Sequence, residues 1–518
     1  MIVWPGGTLA ETRDDRYGFE YDDLYNPATG KPGLSDMMAI ASDQGAALSV
    51  ILPTARYVDD TVALRAELQD FLADLLGGDF GAMPHKLILE VGNEYFANLP
   101  GSTKAADYGE MAELVVTEIA LALADPSINT IGADIDIAVQ AGKTAADDVV
   151  IRNELSDFVL SNVDMITHHR FAYQPQGIDS RIDELEDIVA AWEADVSDAG
   201  GSDPSLFVSA WNTVTITRNG VRDLYIDDQA SKGNVVAADD VDLDGRTTTD
   251  FEEFWQDQLA EAAYGQEHAS YILESFASYA EAGMDAASVY GIDTEHPGHL
   301  SWREDGDDYD FVGAEMLKMI YESVGGTYVL RSNDDYDQSD LLNVYGFEND
   351  DKLVVFLAAG DTAPGDVVVN LDGIGSTLQS VYADSLTGET PADWKAVFDV
   401  ADNPSVDESP EADAYAVGIR DGLTPEVSTD GISVSLDNPH DIIRLAFAKT
   451  PAGEADIESW ADGSKVELEG DLPLPVTDPV TDDPLPDIDD GEEAASAMEA
   501  GGVGGGVGAL LALLFFIF

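Results

Sequence analysis

From residue 45 to about 320, short apolar runs alternate with stretches whose apolar residues recur at helical spacing. Ala47-Leu48-Ser49-Val50-Ile51-Leu52 is strand-like, and the stretch after it places Leu64, Leu68, Phe71, Leu72 and Leu75 on one helical face. Asp59, Asp60 and Thr61 stand at that helix's start and Gly77 just past its end, where capping residues belong. Leu87-Ile88-Leu89-Glu90-Val91 predicts a second strand, and Tyr108, Met111, Val115 and Ile119 mark the helix after it. Further strands are predicted over 135–139, 164–167 and 206–209, with a helix faced by Ile178, Ile182, Leu185, Val189 and Trp192 between the last two. A helix over 266–282, ended by Gly283, leads into a strand over 286–290.

Strand and helix in strict alternation mean parallel strands joined by crossover helices. With the opening Val3-Trp4 segment the strands number seven, one short of a closed TIM-type (β/α)8 barrel. A doubly wound open sheet is the rival. The barrel is favoured because polar and aromatic residues follow nearly every strand's C-terminal end: Trp4, Thr54 to Tyr57, Asn93-Glu94, His168-His169, Trp211-Asn212 and Asp293.

After about 325, Asp/Gly turns separate short alternating strands such as those over 353–357, 367–369 and 443–447, which predicts a small antiparallel β-sandwich. The expected organisation is a barrel over 1–324, a β-sandwich over 325–450, an acidic Pro-rich linker over 451–500 and a Gly-rich hydrophobic tail over 501–518. The linker's 16 Asp or Glu, six Pro and single Lys predict a solvated, extended segment.

Charge then narrows the partners. Against 24 Lys+Arg stand 102 Asp+Glu, a formal net charge of −78. Such a surface repels nucleic acid and anionic membranes, so neither is expected to meet the folded part. High-salt adaptation and a secreted, calcium-rich setting are both consistent with the acidity. Without cysteine the chain has no disulfides, thiolate metal sites or cysteine nucleophiles. No Walker loop, Rossmann fingerprint or Gly-x-Ser-x-Gly elbow appears.

Glu94 is the sharpest candidate for chemistry. In Gly92-Asn93-Glu94-Tyr95 it follows an apolar strand, so its carboxylate is expected over the barrel mouth. Partly shielded from water there, it would have a raised pKa and could donate a proton, while Asn93 could hydrogen-bond a sugar hydroxyl. His168 and His169 are adjacent, so only one can point into the mouth. Trp4, Tyr95, Tyr173, Trp211 and Tyr290 are candidate stacking faces for sugar rings, each as often core as platform. Asp240, Asp242 and Asp244 before Gly245 begin like a calcium loop, but Phe251 stands at position twelve; a structural calcium and an acidic turn both fit. No other cofactor is called for.

Trp4-Pro5-Gly6-Gly7, Gly92-Asn93-Glu94, His168-His169 and Ser209-Ala210-Trp211-Asn212 come in the order found in the clan of retaining glycoside hydrolases with (β/α) barrels. Over roughly residues 1 to 325 the chain resembles the branches holding β-xylosidases, α-L-arabinofuranosidases and exopolysaccharide glycosidases. The resemblance implies that Glu94 is the acid/base and that Asn93, Asn212 and one of the histidines support substrate. It also places the Pro-Gly-Gly segment at the end of the clan's second strand, which implies that the first strand is missing and upstream sequence lost. The clan's nucleophile is the Glu of a Glu-Trp-Asn sequence, and here Ala210 takes its place. Retaining hydrolysis needs two carboxylates about 5 Å apart. Three readings stay open: a sugar-binding barrel without catalysis, replacement of the lost carboxylate by Asp293 or Glu295, or a likeness of structure alone.

No N-terminal secretory signal is visible in Met1 to Gly7. The uncharged end from Val507 to Phe518 is marginal for a membrane span. An apolar tail on an acidic stalk favours surface display or export, through contact with a membrane or export machinery. The reading is a secreted or surface-attached protein acting on polysaccharide.

Overall fold

The computed structural model describes residues 1–11, 32–172, 179–213, 218–241, 249–259, 265–290, 300–304, 307–331, 341–369, 378–389, 417–428 and 431–468. Seven parallel strands, β1 (Ile2–Trp4), β2 (Ala47–Leu52), β3 (Lys86–Val91), β4 (Asp136–Gln140), β5 (Met165–Ala172), β6 (Ser205–Thr213) and β7 (Met284–Val289), pair in sequence order. A doubly wound sheet would reverse order part-way. This one does not, and it curls. Met1 beside β1, Ala47, Ile88, Ala138, Met165, Phe207 and Ala286 supply one residue from each strand position to a single buried cluster. The result is a near-closed barrel in which β1 and β7 are not paired with each other among the described residues.

Helices α1 (Leu34–Asp43), α2 (Thr61–Gly77), α3 (Tyr95–Asn98), α4 (Lys104–Ala124), α5 (Ala145–Glu154), α6 (Asp157–Leu160), α7 (Asp179–Asp198), α8 (Arg218–Ser231), α9 (Thr249–Leu259) and α10 (His268–Glu281) fill the connections. In α2 the Asp60 carboxylate accepts the Ala63 amide at 3.0 Å, and the helix ends on left-handed Gly78, one residue beyond the expected stop. Leu64, Leu68, Phe71, Leu72 and Leu75 are all buried, as their spacing predicts. They pack with Leu48, Val50 and Leu52, the outward residues of β2. Both faces of β2 are thus apolar, which is why it reads as a continuous hydrophobic run.

After the hairpin β8 (Ser301–Glu304) and β9 (Asp307–Asp310) and the helix α11 (Val312–Val324), the chain turns antiparallel. The large sheet runs β10 (Tyr328–Arg331), β11 (Leu342–Glu348), β12 (Lys352–Ala359), β18 (Ile442–Ala448), β14 (Ser380–Glu389), β15 (Val417–Leu423). The small one is β13 (Gly365–Val369), β17 (Gly431–Leu436), β16 (Glu426–Ser428). Leu353, Val355 and Leu357 of β12 share a core with Ile432, Val434 and Leu436 of β17. Val354, Phe356 and Ala358, on the other face, join the cluster that holds α10 and α11, where the tilted rings of Phe276 and Phe347 lie 5.9 Å apart. The sandwich's large sheet is therefore covered on both sides, once by its partner sheet and once by the barrel.

The segment expected to open the extended linker is folded as far as residue 468. Thr450 caps α12 (Pro451–Glu458), accepting the Gly453 amide at 3.2 Å, and Ile457 is fully buried. Strand β19 (Val466–Glu467) adds to β14, and the Trp460 ring covers the buried Arg444 guanidinium at 4.2 Å. Acidic composition misled here because a cap, one apolar anchor and a cation–π contact suffice to hold a short segment on a finished domain. The rest of the linker, and the tail over 501–518, lie outside the described residues. No helix among the described residues is long and apolar enough to cross a membrane.

Candidate active site at the barrel mouth

The site begins with an irregularity in β3. Gly92 follows the strand at φ +71°, and a Cβ there would lie 2.6 Å from Thr54 Oγ1, so only glycine lets the chain leave this close to β2. Glu94, two residues on, is itself left-handed, with φ 42° and ψ 60°. That conformation costs a non-glycine residue about 1–2 kcal/mol. The turn stands the carboxylate at the C-terminal end of β3, with its side chain 28% exposed.

His169 holds it there. The ring Nδ1–H donates to Glu94 Oε1 at 3.1 Å, while Nε2 faces Glu90 Oε1 at 4.0 Å. Of the two adjacent histidines, His169 takes the mouth; His168 is buried, and its Nδ1–H donates to the His169 carbonyl at 3.0 Å. The hydrogen bond from His169, more than any other influence, holds Glu94 below its ordinary carboxyl pKa, outweighing the burial that pushes it up. This reverses the expectation of a raised pKa. Shielding by aromatic side chains does not dominate, because a ring nitrogen lies in hydrogen-bond contact.

Glu90 lies one layer deeper. It is fully buried and accepts hydroxyl hydrogen bonds from Ser49 at 3.1 Å and Ser209 at 3.0 Å. Burial pushes its carboxyl up, with His169 and the two serines pulling it back. Glu90 has no exposed surface, and His169 stands between it and Glu94.

Glu11, in the turn after β1, is the brace of the site. One carboxylate oxygen accepts the amides of Thr54 and Ala55, each at 2.7 Å. The other accepts the Asn93 amide at 2.9 Å and the Thr54 hydroxyl at 3.0 Å. It thereby joins the ends of β1, β2 and β3. Asn93 is buried, yet neither its Nδ2 nor its Oδ1 has a partner. A buried, unsatisfied amide beside a carboxylate is a place where hydroxyl groups of a ligand would find both a donor and an acceptor.

Ala210 sits on β6 directly opposite His169 in the strand register, after a bulge that gives β6 an extra residue. Before it, Ser209 points inward to Glu90. Trp211 then faces outward, fully buried at 5.9 Å from Tyr279 and 6.4 Å from Phe276 of α10.

The aromatic candidates divide accordingly. Trp211 is core. So is Tyr95, stacked 5.2 Å from Tyr108, its hydroxyl accepting the Lys143 amide at 2.7 Å. Trp4 is buried, and its indole donates to the Pro32 carbonyl at 2.9 Å. Tyr290 is 41% exposed, and its carbonyl accepts the Asn212 amide at 2.7 Å, which ties β6 to the end of β7. Tyr173, Asp293, Glu295, Asp242 and Asp244 lie outside the described residues, and Asp240 is exposed in a short 3-10 turn.

Sequence reading missed Glu11, Glu90 and Lys143. Glu90 had a signal, a lone acid in an apolar strand. Glu11 had none, because its partners lie 43 to 82 positions away.

No family model matches the chain, and no curated protein matches it in sequence. Solved structures do match. A family 51 α-L-arabinofuranosidase from Bifidobacterium longum is 12% identical and superposes with a TM-score of 0.53, over 86% of this chain and 87% of that one. The GH51 arabinofuranosidase from Xanthomonas axonopodis pv. citri is 13% identical with a TM-score of 0.52, over 86% of each chain. The fold is a glycoside-hydrolase fold. At such identity the likeness is one of architecture, and the chemistry rests on the residues themselves.

Proposed function

We propose that the chain is a carbohydrate-acting protein that takes a polysaccharide segment into the barrel mouth, with Glu94 and Asn93 as its sugar-hydroxyl partners. The observation that carries this is the buried Asn93 amide, without a partner on either of its atoms, in the residue before Glu94. Desolvating an amide without partners costs about 1–3 kcal/mol, and a ligand that supplies them recovers it. The arabinofuranosidase fold supports a sugar as that ligand.

Binding without cleavage is the reading the described residues favour. Glu94 is held in its charged form by His169, which suits an acceptor better than a proton donor. Ala210, opposite His169, offers no carboxylate to attack an anomeric carbon. Hydrolysis is the second reading, favoured by the fold and by the placement of Glu94 at the mouth; it needs Asp293 or Glu295 as partner.

The test is a panel of β-xylosides, arabinofuranosides and bacterial exopolysaccharides, assayed for both binding and cleavage with the wild type, Glu94→Gln, Asn93→Ala and Ala210→Glu. Binding lost in Asn93→Ala, with cleavage gained only in Ala210→Glu, is expected. Cleavage by the wild type that disappears in Glu94→Gln would establish the hydrolase reading. No binding and no cleavage of any member would overturn both.

A further inference from the structure

Positive charge is scarce in this chain, and among the described side chains most of it is neutralised. Among the described side chains, every lysine and arginine but three pairs with a carboxylate, from Arg65 with Glu118 to Lys465 with Glu454. The exceptions are Arg56, Lys104 and Lys143, and all three stand beside the same strand end. Arg56 follows β2, one residue past the Ala55 amide that shares the Glu11 carboxylate with Asn93. Lys143 follows β4, on the other side of β3, and lies close enough to Glu94 to draw its carboxyl further down. Its ammonium is 4.5 Å from the centre of the Phe96 ring, and Lys104 donates to the Phe96 carbonyl at 2.6 Å. Phe96 is two residues beyond Glu94.

In a chain with 102 carboxyl groups, a cation without one is held by geometry rather than by shortage of partners. Arg56 adds an independent sign: its Nη1 is buried and has no hydrogen-bond partner, although its carbon lies 5.1 Å from the Tyr57 ring centre. A guanidinium nitrogen removed from water and left open is a vacancy for an acceptor, best an anionic one. Elsewhere the protein's field repels polyanions, so a patch of this sign is needed wherever an acidic polymer is to be received.

Resting on the proposed carbohydrate site, we infer that its ligand is an anionic glycan, one whose sugar carboxylates or sulfate esters sit on Arg56 and Lys143 while neighbouring hydroxyls reach Asn93 and Glu94. Lys104, its ammonium held at the Phe96 carbonyl two residues past Glu94, adds a third charge. The cations flank Glu94 on both sides of β3, so the anionic groups belong to sugars adjoining the one over Glu94.

The experiment is calorimetric titration of the full chain with an oligogalacturonate, its methyl ester and a sulfated xylo-oligosaccharide, at matched ionic strength. The ester keeps the shape and removes the charge, so the comparison does not depend on any variant folding. Each exposed ion pair adds a few-fold to affinity, and three together about tenfold. The acidic oligomer or the sulfated one should bind about tenfold more tightly than the ester. The preference should shrink in Arg56→Gln and Lys143→Gln and as salt shortens the Debye length. The uronate and sulfate arms tell which anion is carried. Equal affinity for charged and esterified oligomers would overturn this inference and leave the carbohydrate site standing. Failure of every oligosaccharide, neutral xylo-oligosaccharides included, would overturn the site as well.

Discussion

Replacing Glu11 with glutamine preserves the side chain's shape and removes the charge that joins three strand ends. The carboxylate accepts the Thr54 and Ala55 amides on one oxygen and the Asn93 amide with the Thr54 hydroxyl on the other. Glutamine can serve only one of these pairs. If its oxygen stays on Thr54 and Ala55, its amide nitrogen meets the Asn93 N–H donor to donor, and the Thr54 hydroxyl must turn round to accept. A hydrogen bond to a charged group contributes about 1.5–3 kcal/mol, and a stranded buried N–H costs about 1–3 kcal/mol. Some of the loss overlaps, so local opening of the loop should become easier by about 3 kcal/mol. That corresponds to roughly 100-fold in an equilibrium constant. Amide hydrogen exchange followed by mass spectrometry reads it directly, because exchange from locally opened states tracks the opening free energy. Peptides containing Thr54, Ala55 and Asn93 should exchange roughly 100-fold faster in Glu11→Gln, and peptides confined to the barrel strands, such as those around Ile88, should not change. Protection at the three amides within about threefold of wild type would refute the bracing role. A uniform acceleration across the barrel would show that Glu11 supports the whole fold rather than the site.

Gly92→Ala should cost about 2–4 kcal/mol, combining a left-handed residue with a Cβ placed 2.6 Å from Thr54 Oγ1, and a thermal melt checks it. Breaking the seam between barrel and sandwich with Arg444→Met leaves Asp384 buried against two amides without its cation; a loss of about 3–5 kcal/mol is expected by calorimetry. Arg444→Met with Asp384→Asn, which keeps the acceptor for those amides, should recover most of it. Because His169 lowers the pKa of Glu94, the stability from this contact is fully present above the pKa of an unfolded glutamate. It is lost as pH falls through the lowered value in the fold. In His169→Leu, where the hydrogen bond no longer outweighs burial, that acid loss should disappear, and in a Glu94→Gln background the same substitution should leave this part of the acid limb unmoved. Denaturant midpoints taken across the acid range test both statements.

Periodicity determined most of the architecture. The run from Ala47 to Leu52 and the helical face from Leu64 to Leu75 are local patterns, and they name the same elements whatever surrounds them. The order of Gly92-Asn93-Glu94 and His168-His169 along the chain likewise puts the site's residues at strand ends. What lay beyond reach was set by contacts between distant segments. Trp211 and Tyr95 look like sugar platforms in sequence, but bulge and turn geometry send their rings into the core. Glu94 looks like a proton donor until His169, 75 positions away, arrives within 3.1 Å. Glu11 and Arg56 carry no local signal at all, since one is defined by amides from two other strands and the other by a partner it does not have. Hydrophobic burial acts through a pattern that repeats every two or three to four residues and so is written in a short window. A carboxylate's charge state and an amide's vacancy depend on groups within about 4 Å in space, which only the closed barrel brings together.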